Sequence, residues 1–193
     1  MTLPILSYGH RILRQRCADV DSSFPDLDVL INNMWETLYG ANGCGLAASQ
    51  VNIPIRLFLV DSRQTYAHMT GPERATYFEG ETGIQETFIN ARITDRSPET
   101  WVDEEGCLSI PRIAQPVARS WRITISYFDR NFHQHTKTFS GTTARMIQHE
   151  YDHTEGVLYL DYLKPVSRRL LQGKLAKISK GAIRAAYPMK YLK

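Results

Sequence analysis

Cysteine is scarce in this sequence of 193 residues, which has only Cys17, Cys44 and Cys107. Three cysteines at irregular spacing argue against a disulfide framework, so each is free to be a thiol or a metal ligand. The sequence also lacks an uninterrupted run of about 18 apolar residues, which a membrane-spanning helix needs. Its first six residues lack the basic start and long apolar stretch of a signal peptide. We therefore expect a cytoplasmic protein with no membrane or DNA partner.

Acidic residues are absent from the last thirty positions. Residues 164–193 contain nine lysines and arginines, whereas all 20 aspartates and glutamates lie in the rest of the chain. Such a basic tail indicates contact with RNA or an acidic surface, although a solvated helix face explains it equally well. With 42% hydrophobic and 22% charged residues, no internal repeat and no linker, the sequence predicts one globular domain spanning residues 1–193.

The clearest chemical signal is the His-Glu-x-x-His pattern that begins at His149. On a helix, four residues turn through about 400°, so His149 and His153 share one face and can hold a single ion. Glu150 then lies close enough to act as general base toward a metal-bound water. The alternative is a surface helix with two unrelated histidines.

Two histidines leave a tetrahedral ion one protein ligand short of the usual catalytic zinc site. No histidine or cysteine follows His153, and Tyr159 stands where the metzincin pattern has its third histidine. The third ligand is therefore expected upstream. Of the candidates there, Cys107 is favoured because it lies in a tight Glu-Gly-Cys-Leu-Ser turn, although an inert buried thiol stays an alternative. The nitrogen and sulfur candidates are His10, His68, His133, His135, Cys17, Cys44 and Cys107.

Apolar periodicity predicts three helices and several strands. The helices run from a cap at Asp26 to about Gly40, from a cap at Ser140 or Thr142 to Gly156, and from a cap at Ser167 to about Lys180. The strands cover residues 55–61, 88–93, 121–127, 132–139 and 157–160, with an antiparallel hairpin between the third and fourth. Residues 64–86 are predicted to form a long surface excursion, and residues 101–111 a turn-rich acidic segment.

A glycine-rich stretch begins at Gly43 and has no Gly-Lys-Ser/Thr ending, so it is not a phosphate loop. Its small residues predict close approach of a ligand backbone, or else a glycine turn that leads into a packed Leu-Ala-Ala segment.

Three stretches together resemble the peptide deformylase family. Gly43-Cys44-Gly45-Leu46-Ala47-Ala48-Ser49-Gln50 resembles the family's Gly-x-Gly-Leu-Ala-Ala-x-Gln motif. Glu105-Gly106-Cys107-Leu108-Ser109 resembles its Glu-Gly-Cys-Leu-Ser motif, and residues 148–153 resemble its Gln-His-Glu-x-Asp-His motif. The motifs also occur in the family's order. The resemblance runs from about residue 3 to 162 and lapses over residues 64–86.

The resemblance implies an α+β fold in which antiparallel sheets surround a central helix carrying the His-Glu-x-x-His motif, with a C-terminal helix. It implies removal of the formyl group from the initiator methionine of nascent polypeptides. Cys107, His149 and His153 would bind one divalent ion, Fe(II) above all, with zinc or nickel as substitutes. Glu150 would carry the proton, while the Gln50 side chain and the Leu108 backbone N–H would face the developing oxyanion.

The resemblance also implies a place for the substrate. Its backbone would lie beside Gly43, Cys44 and Gly45, and its methionine would enter a pocket lined by Cys44 and Met146. Arg145 places a cation near that pocket where many family members have an apolar side chain, and Cys44 replaces a branched aliphatic residue. Neither departure removes a catalytic group.

Two further sets of residues receive roles from the resemblance. Glu105 and Asp152, with Arg119, are expected to orient the metal ligands. The basic tail at 164–193 is expected to contact the ribosome through Arg168, Arg169, Lys174 and Lys177. Three functions compete with this one: a general metallopeptidase, a non-catalytic zinc module that binds RNA, and an inactive family member that binds the metal without turnover. The zinc module would need neither Glu150 nor Gln50.

Overall fold

The computed structural model describes residues 1–192 as five α-helices and nine β-strands. The helices are α1 (Leu27–Gly40), α2 (Arg63–His68), α3 (Gly71–Phe78), α4 (Gly141–Thr154) and α5 (Pro165–Ser179). The strands are β1 (Ile5–Leu6), β2 (Gly45–Ala47), β3 (Leu57–Asp61), β4 (Gln85–Arg96), β5 (Thr100–Cys107), β6 (Ile110–Ser120), β7 (Arg122–Phe128), β8 (Gln134–Ser140) and β9 (Met189–Lys190).

The strands form three sheets, two of which pack against α4. A five-stranded antiparallel sheet has the order β2-β3-β4-β7-β8, β5 and β6 form an antiparallel hairpin, and β1 pairs in parallel with β9. Helix α4 contacts both the five-stranded sheet and the hairpin. This arrangement confirms the predicted α+β fold with antiparallel sheets around a central helix and a C-terminal helix. No helix within residues 1–192 is long and apolar enough to cross a membrane.

The packing of α4 on the core explains which face of the helix is turned toward the site. Ala144 and Ile147 are fully buried in a cluster with Phe58 and Phe88, whose rings stack 4.8 Å apart. Positions 144 and 147 are three residues apart, so they form one apolar stripe on the helix. That stripe lies on the five-stranded sheet, and the face that carries the histidines is therefore turned toward the β5–β6 hairpin.

The three predicted helices and the β7–β8 hairpin lie where the sequence predicts them, but none of the predicted caps makes a side-chain capping hydrogen bond. Ser140 precedes α4 as expected, without such a bond. Asp26 precedes α1 as expected, yet its backbone is left-handed (φ 53°) and its side chain makes no capping hydrogen bond. Helix α5 begins at Pro165, so Ser167 lies inside the helix rather than at its cap. Proline suits the first position of a helix because its missing N–H needs no partner there.

Three other predictions need correction. Residues 157–160 form no strand; a 3-10 helix spans Tyr159–Tyr162, and Leu158 N–H donates to the Asp161 carboxylate at 2.9 Å. Residues 64–86 lie at the surface as predicted, with Phe78 as their one buried residue, but they contain α3 and most of α2, which the sequence did not predict. Residues 101–111 are mostly β-strand, since Thr100–Cys107 pairs along its length with Ile110–Ser120.

Candidate active site

The three predicted metal ligands converge at one end of the β5–β6 hairpin. His149 and His153 lie one turn apart on α4, and Cys107 is the last residue of β5. One ligand atom from each lies within 4.8 Å of the others, and Cys107 Sγ lies 3.3 Å from His153 Nε2. A tetrahedral ion with bonds of about 2.3 Å to sulfur and 2.0 Å to nitrogen places those two atoms about 3.5 Å apart. Within residues 1–192, this is the only cluster of its kind.

A buried carboxylate stands behind His149. Glu105 Oε2 lies 3.0 Å from His149 Nδ1, and Arg119 donates to Glu105 through Nε at 2.9 Å and Nη2 at 2.8 Å. Burial by itself raises the pKa of Glu105, but the hydrogen bonds with Arg119 and His149 hold it well below its usual range. An ionised carboxylate at Nδ1 fixes the proton there and leaves Nε2 of His149 free to bind a metal.

Arg145 belongs to the same network. Its Nη1 donates to Glu105 Oε1 at 2.6 Å, its Nη2 donates to the Trp101 carbonyl at 2.8 Å, and its guanidinium lies 4.2 Å from the Trp101 ring centre. The side chain lines the cleft, but its charge is paired with Glu105. Asp152 reaches this network only through Arg119, so any orienting effect of Asp152 on the ligands is indirect.

Glu150 is buried beside the ligands, and its Oε2 has no hydrogen-bond partner in the structure. Burial raises the pKa of this carboxyl group to about 7. A group with a pKa near neutrality can both accept and return a proton. Burial lowers the pKa of His153, which favours the neutral imidazole that binds metals.

Gln50 lies in a buried 3-10 helix that follows β2. Its Oε1 accepts the Ala47 N–H at 2.8 Å, which fixes the orientation of the amide. Its Nε2 donates to Ser109 Oγ at 3.2 Å and to Cys107 Sγ at 3.5 Å. The amide N–H groups of Gln50 therefore point toward Cys107. Leu108, the next residue, begins the turn between β5 and β6.

A cleft of about 880 Å³ opens onto these groups. Its walls include every residue predicted for catalysis or substrate binding, together with two of the three metal ligands; His153 lies deeper. These lining residues are Gly43, Cys44, Gly45, Gln50, Cys107, Leu108, Arg145, Met146, His149 and Glu150. Most of the lining is apolar, as a methionine side chain requires.

Two parts of the cleft wall were missed by sequence reasoning. Thr65 and Met69 come from α2 and the residue after it, within the segment predicted as a surface excursion. Ala185, Ala186 and Tyr187 come from the basic tail. Met69 is an apolar residue in a polar stretch and gave a weak signal, whereas nothing in the local sequence marks Tyr187.

Comparison with known proteins identifies relatives along almost the whole chain. Residues 2–169 match the model of the polypeptide deformylase family. A peptide deformylase from Christiangramia forsetii is 45% identical over 193 residues, covering 99% of this chain and 96% of that protein. One from Flavobacterium psychrophilum is 42% identical over 191 residues, covering 98% and 97%.

Solved structures agree. The peptide deformylase from Ehrlichia chaffeensis superposes with a TM-score of 0.79 at 29% identity, covering 92% of this chain and 96% of that one. The enzyme from Thermotoga maritima gives a TM-score of 0.71 at 34% identity, covering 86% and 99%. These matches confirm the resemblance drawn from the three motifs. The chain therefore belongs to the peptide deformylase family, the metal-dependent hydrolases that remove the N-formyl group from newly synthesised polypeptides.

Proposed function

We propose that this deformylase holds its ion with Cys107, His149 and His153 and moves the proton of the reaction with Glu150. The carrying observation is the convergence of the three ligand atoms beside a buried carboxylate that has no partner. A thiolate and two imidazoles suit Fe(II), zinc and nickel alike. We propose Fe(II) as the ion of the working enzyme. When bound, a divalent ion supplies Lewis acidity to the formyl oxygen and acidifies a water molecule.

Glu150 supplies the proton transfers. Its carboxylate takes a proton from the attacking water as the oxygen adds to the formyl carbon. It then gives this proton to the methionine nitrogen as the carbon–nitrogen bond breaks, so a free amine and formic acid leave, and the acid ionises to formate. Its burial and its pKa of about 7 support both steps.

Gln50 and Leu108 stabilise the charge that develops on the formyl oxygen. The Gln50 amide is locked by Ala47, so its N–H groups are already oriented before substrate binds. The backbone N–H of Leu108 is the second donor. Donors that are held in place need no reorganisation during the reaction, and loss of one costs about 3 kcal/mol of barrier.

The substrate backbone binds as an added strand at β2. This strand is an edge of the five-stranded sheet, and the cleft runs along Gly43, Cys44 and Gly45 just before and at its start. An extended peptide can pair with such an edge through main-chain hydrogen bonds. The methionine side chain then lies against Cys44 and Met146.

The decisive experiment measures formate release from a formyl-Met-Ala-Ser peptide by protein purified without oxygen and loaded with Fe(II). Rapid release by the wild type and its loss in Glu150→Gln are expected, with bound iron unchanged. The unformylated peptide is the control, because a general metallopeptidase would cut it. Absence of formate from folded, iron-loaded protein would contradict this function.

The partner is a nascent formyl-methionyl polypeptide, and we place the reaction at the ribosome in the cytoplasm. Helix α5 supports a ribosome contact: Val166 and Leu170 are 72% and 79% exposed, and basic residues flank them. Arg168 pairs with Asp161, so Arg169, Lys174 and Lys177 are the stronger candidates.

Charge reversal tests this contact better than deletion, because the tail also lines the cleft. We expect Lys174→Glu combined with Lys177→Glu to weaken salt-dependent co-sedimentation with ribosomes while formate release from a free peptide is retained. Unchanged co-sedimentation would refute the contact.

A further inference from the structure

The chain that follows α5 returns to the active site. The family model ends at residue 169, but the structure continues through α5 to a final strand, β9, which pairs with β1. Ile5 N–H donates to the Pro188 carbonyl at 3.0 Å, and Leu192 N–H donates to the Ser179 carbonyl at 2.8 Å. These bonds hold the segment on both sides of β9, so the three residues before Pro188 form a fixed wall of the cleft.

Tyr187 is the member of this wall that reaches a catalytic group. Its hydroxyl donates to the backbone carbonyl of Leu108 at 2.7 Å, and its ring packs in the same apolar cluster as the Leu108 side chain. Burial raises the pKa of Tyr187 above its ordinary value, so the hydroxyl stays a donor at all physiological pH values.

The Leu108 side chain and the residue that follows it are also fixed by contacts with other parts of the chain. A Cβ built on Gly43 would lie 2.8 Å from Leu108 Cδ1, so the leucine side chain packs directly on the glycine backbone. The next residue, Ser109, accepts the Tyr8 N–H at 2.8 Å through its carbonyl. The carbonyl of Leu108 itself, however, is held by the Tyr187 hydroxyl. That bond restrains the peptide plane that follows Leu108, and so limits the backbone rotation of the residue whose N–H is the proposed second donor.

We propose that Tyr187 is a positioning residue of the deformylase site, acting through the Leu108 backbone. Its hydroxyl holds the turn between β5 and β6 in the conformation in which the Leu108 N–H points at the formyl oxygen. The C-terminal segment is therefore part of the active site, although it lies outside the matched family region. This inference rests on the proposed role of the Leu108 N–H.

The test compares Tyr187→Phe with Tyr191→Phe. The first removes only the hydroxyl that bonds to Leu108. The second removes a hydroxyl from the same segment, where the Tyr191 ring packs against Gly181. We expect Tyr187→Phe to lower kcat about threefold to tenfold, the range for one hydrogen bond, with KM and bound metal unchanged. Tyr191→Phe should match the wild type in kcat.

Hydrogen–deuterium exchange provides a readout that does not depend on turnover. Amides of the turn around Leu108 should exchange faster in Tyr187→Phe than in the wild type or Tyr191→Phe. Equal exchange and equal kcat would overturn the proposal, as would equal losses in both variants or a change in KM alone. If the wild type exchanges more slowly around Leu108 than Tyr187→Phe but releases no formate, the proposed function is refuted and the positioning role of Tyr187 is not.

Discussion

Gly45 offers the sharpest test of how Glu150 works. The glycine has no left-handed backbone angle, so alanine meets no backbone strain there. A Cβ at this position would, however, lie 2.7 Å from both Cγ and Cδ of Glu150 and closer still to its Oε1. Ordinary contact begins near 3.4 Å, so Glu150 must retreat by at least about 0.7 Å in Gly45→Ala. The single added methyl group therefore displaces the proton carrier without touching a metal ligand.

A displacement of this size has a large kinetic effect. Misplacing a reacting group by about 1 Å costs about a hundredfold in rate. We expect kcat for formate release from formyl-Met-Ala-Ser to fall about thirtyfold to a hundredfold in Gly45→Ala. Bound iron, measured by elemental analysis, should equal that of the wild type because Cys107, His149 and His153 are untouched.

A glycine far from the site serves as the control. Gly173 lies within α5 with open space around it, so Gly173→Ala should leave kcat unchanged and stabilise the fold by about 0.5–1 kcal/mol. Full kcat in Gly45→Ala would refute the assigned position of Glu150, and a rise in KM alone would point to blocked substrate instead.

The remaining predictions concern the oxyanion donors, the buried ion pairs and the metal. Gln50→Ala should lower kcat about a hundredfold with little change in KM, and a wild-type kcat would exclude Gln50 as a donor. Arg119→Met leaves the buried Glu105 and Asp152 without this partner and should lower the free energy of unfolding in urea by about 3–5 kcal/mol. Arg122→Met, which breaks an exposed ion pair, should cost under about 1 kcal/mol. Chelation should abolish formate release, and added Fe(II), zinc or nickel should restore it in proportion to bound metal; activity in metal-free protein would contradict the proposed site.

Much of the fold followed from local patterns. Helices α1 and α4 and the β7–β8 hairpin were predicted because their apolar residues recur with helical or alternating spacing. The strand predicted at 157–160 is wrong because a short apolar stretch is ambiguous, and packing buries residues 158–160 without strand pairing. Residues 101–111 contain glycine, proline and acidic residues, which favour turns. Their pairing with a strand up to 20 residues away overrode that local signal.

The sequence by itself determined the chemistry of this protein. The spacing of His149, Glu150 and His153 indicates a metal site within a single helix, because four residues make about one turn. The residue pattern left seven upstream candidates for the third ligand and favoured Cys107 for its tight turn, and the resemblance of three short motifs then pointed to the same residue. These features are local, so they can be read without knowing how distant parts of the chain meet.

Only the tertiary structure decided how Arg145 and Tyr187 relate to that chemistry. Arg145 was predicted as a cation beside the substrate, but folding pairs it with Glu105, forty residues away in sequence. Tyr187 reaches Leu108 across 79 positions. Contacts of this kind depend on how the hairpin, α4 and the C-terminal segment pack together. Packing is set by the shape and burial of many side chains at once, and no local spacing records it.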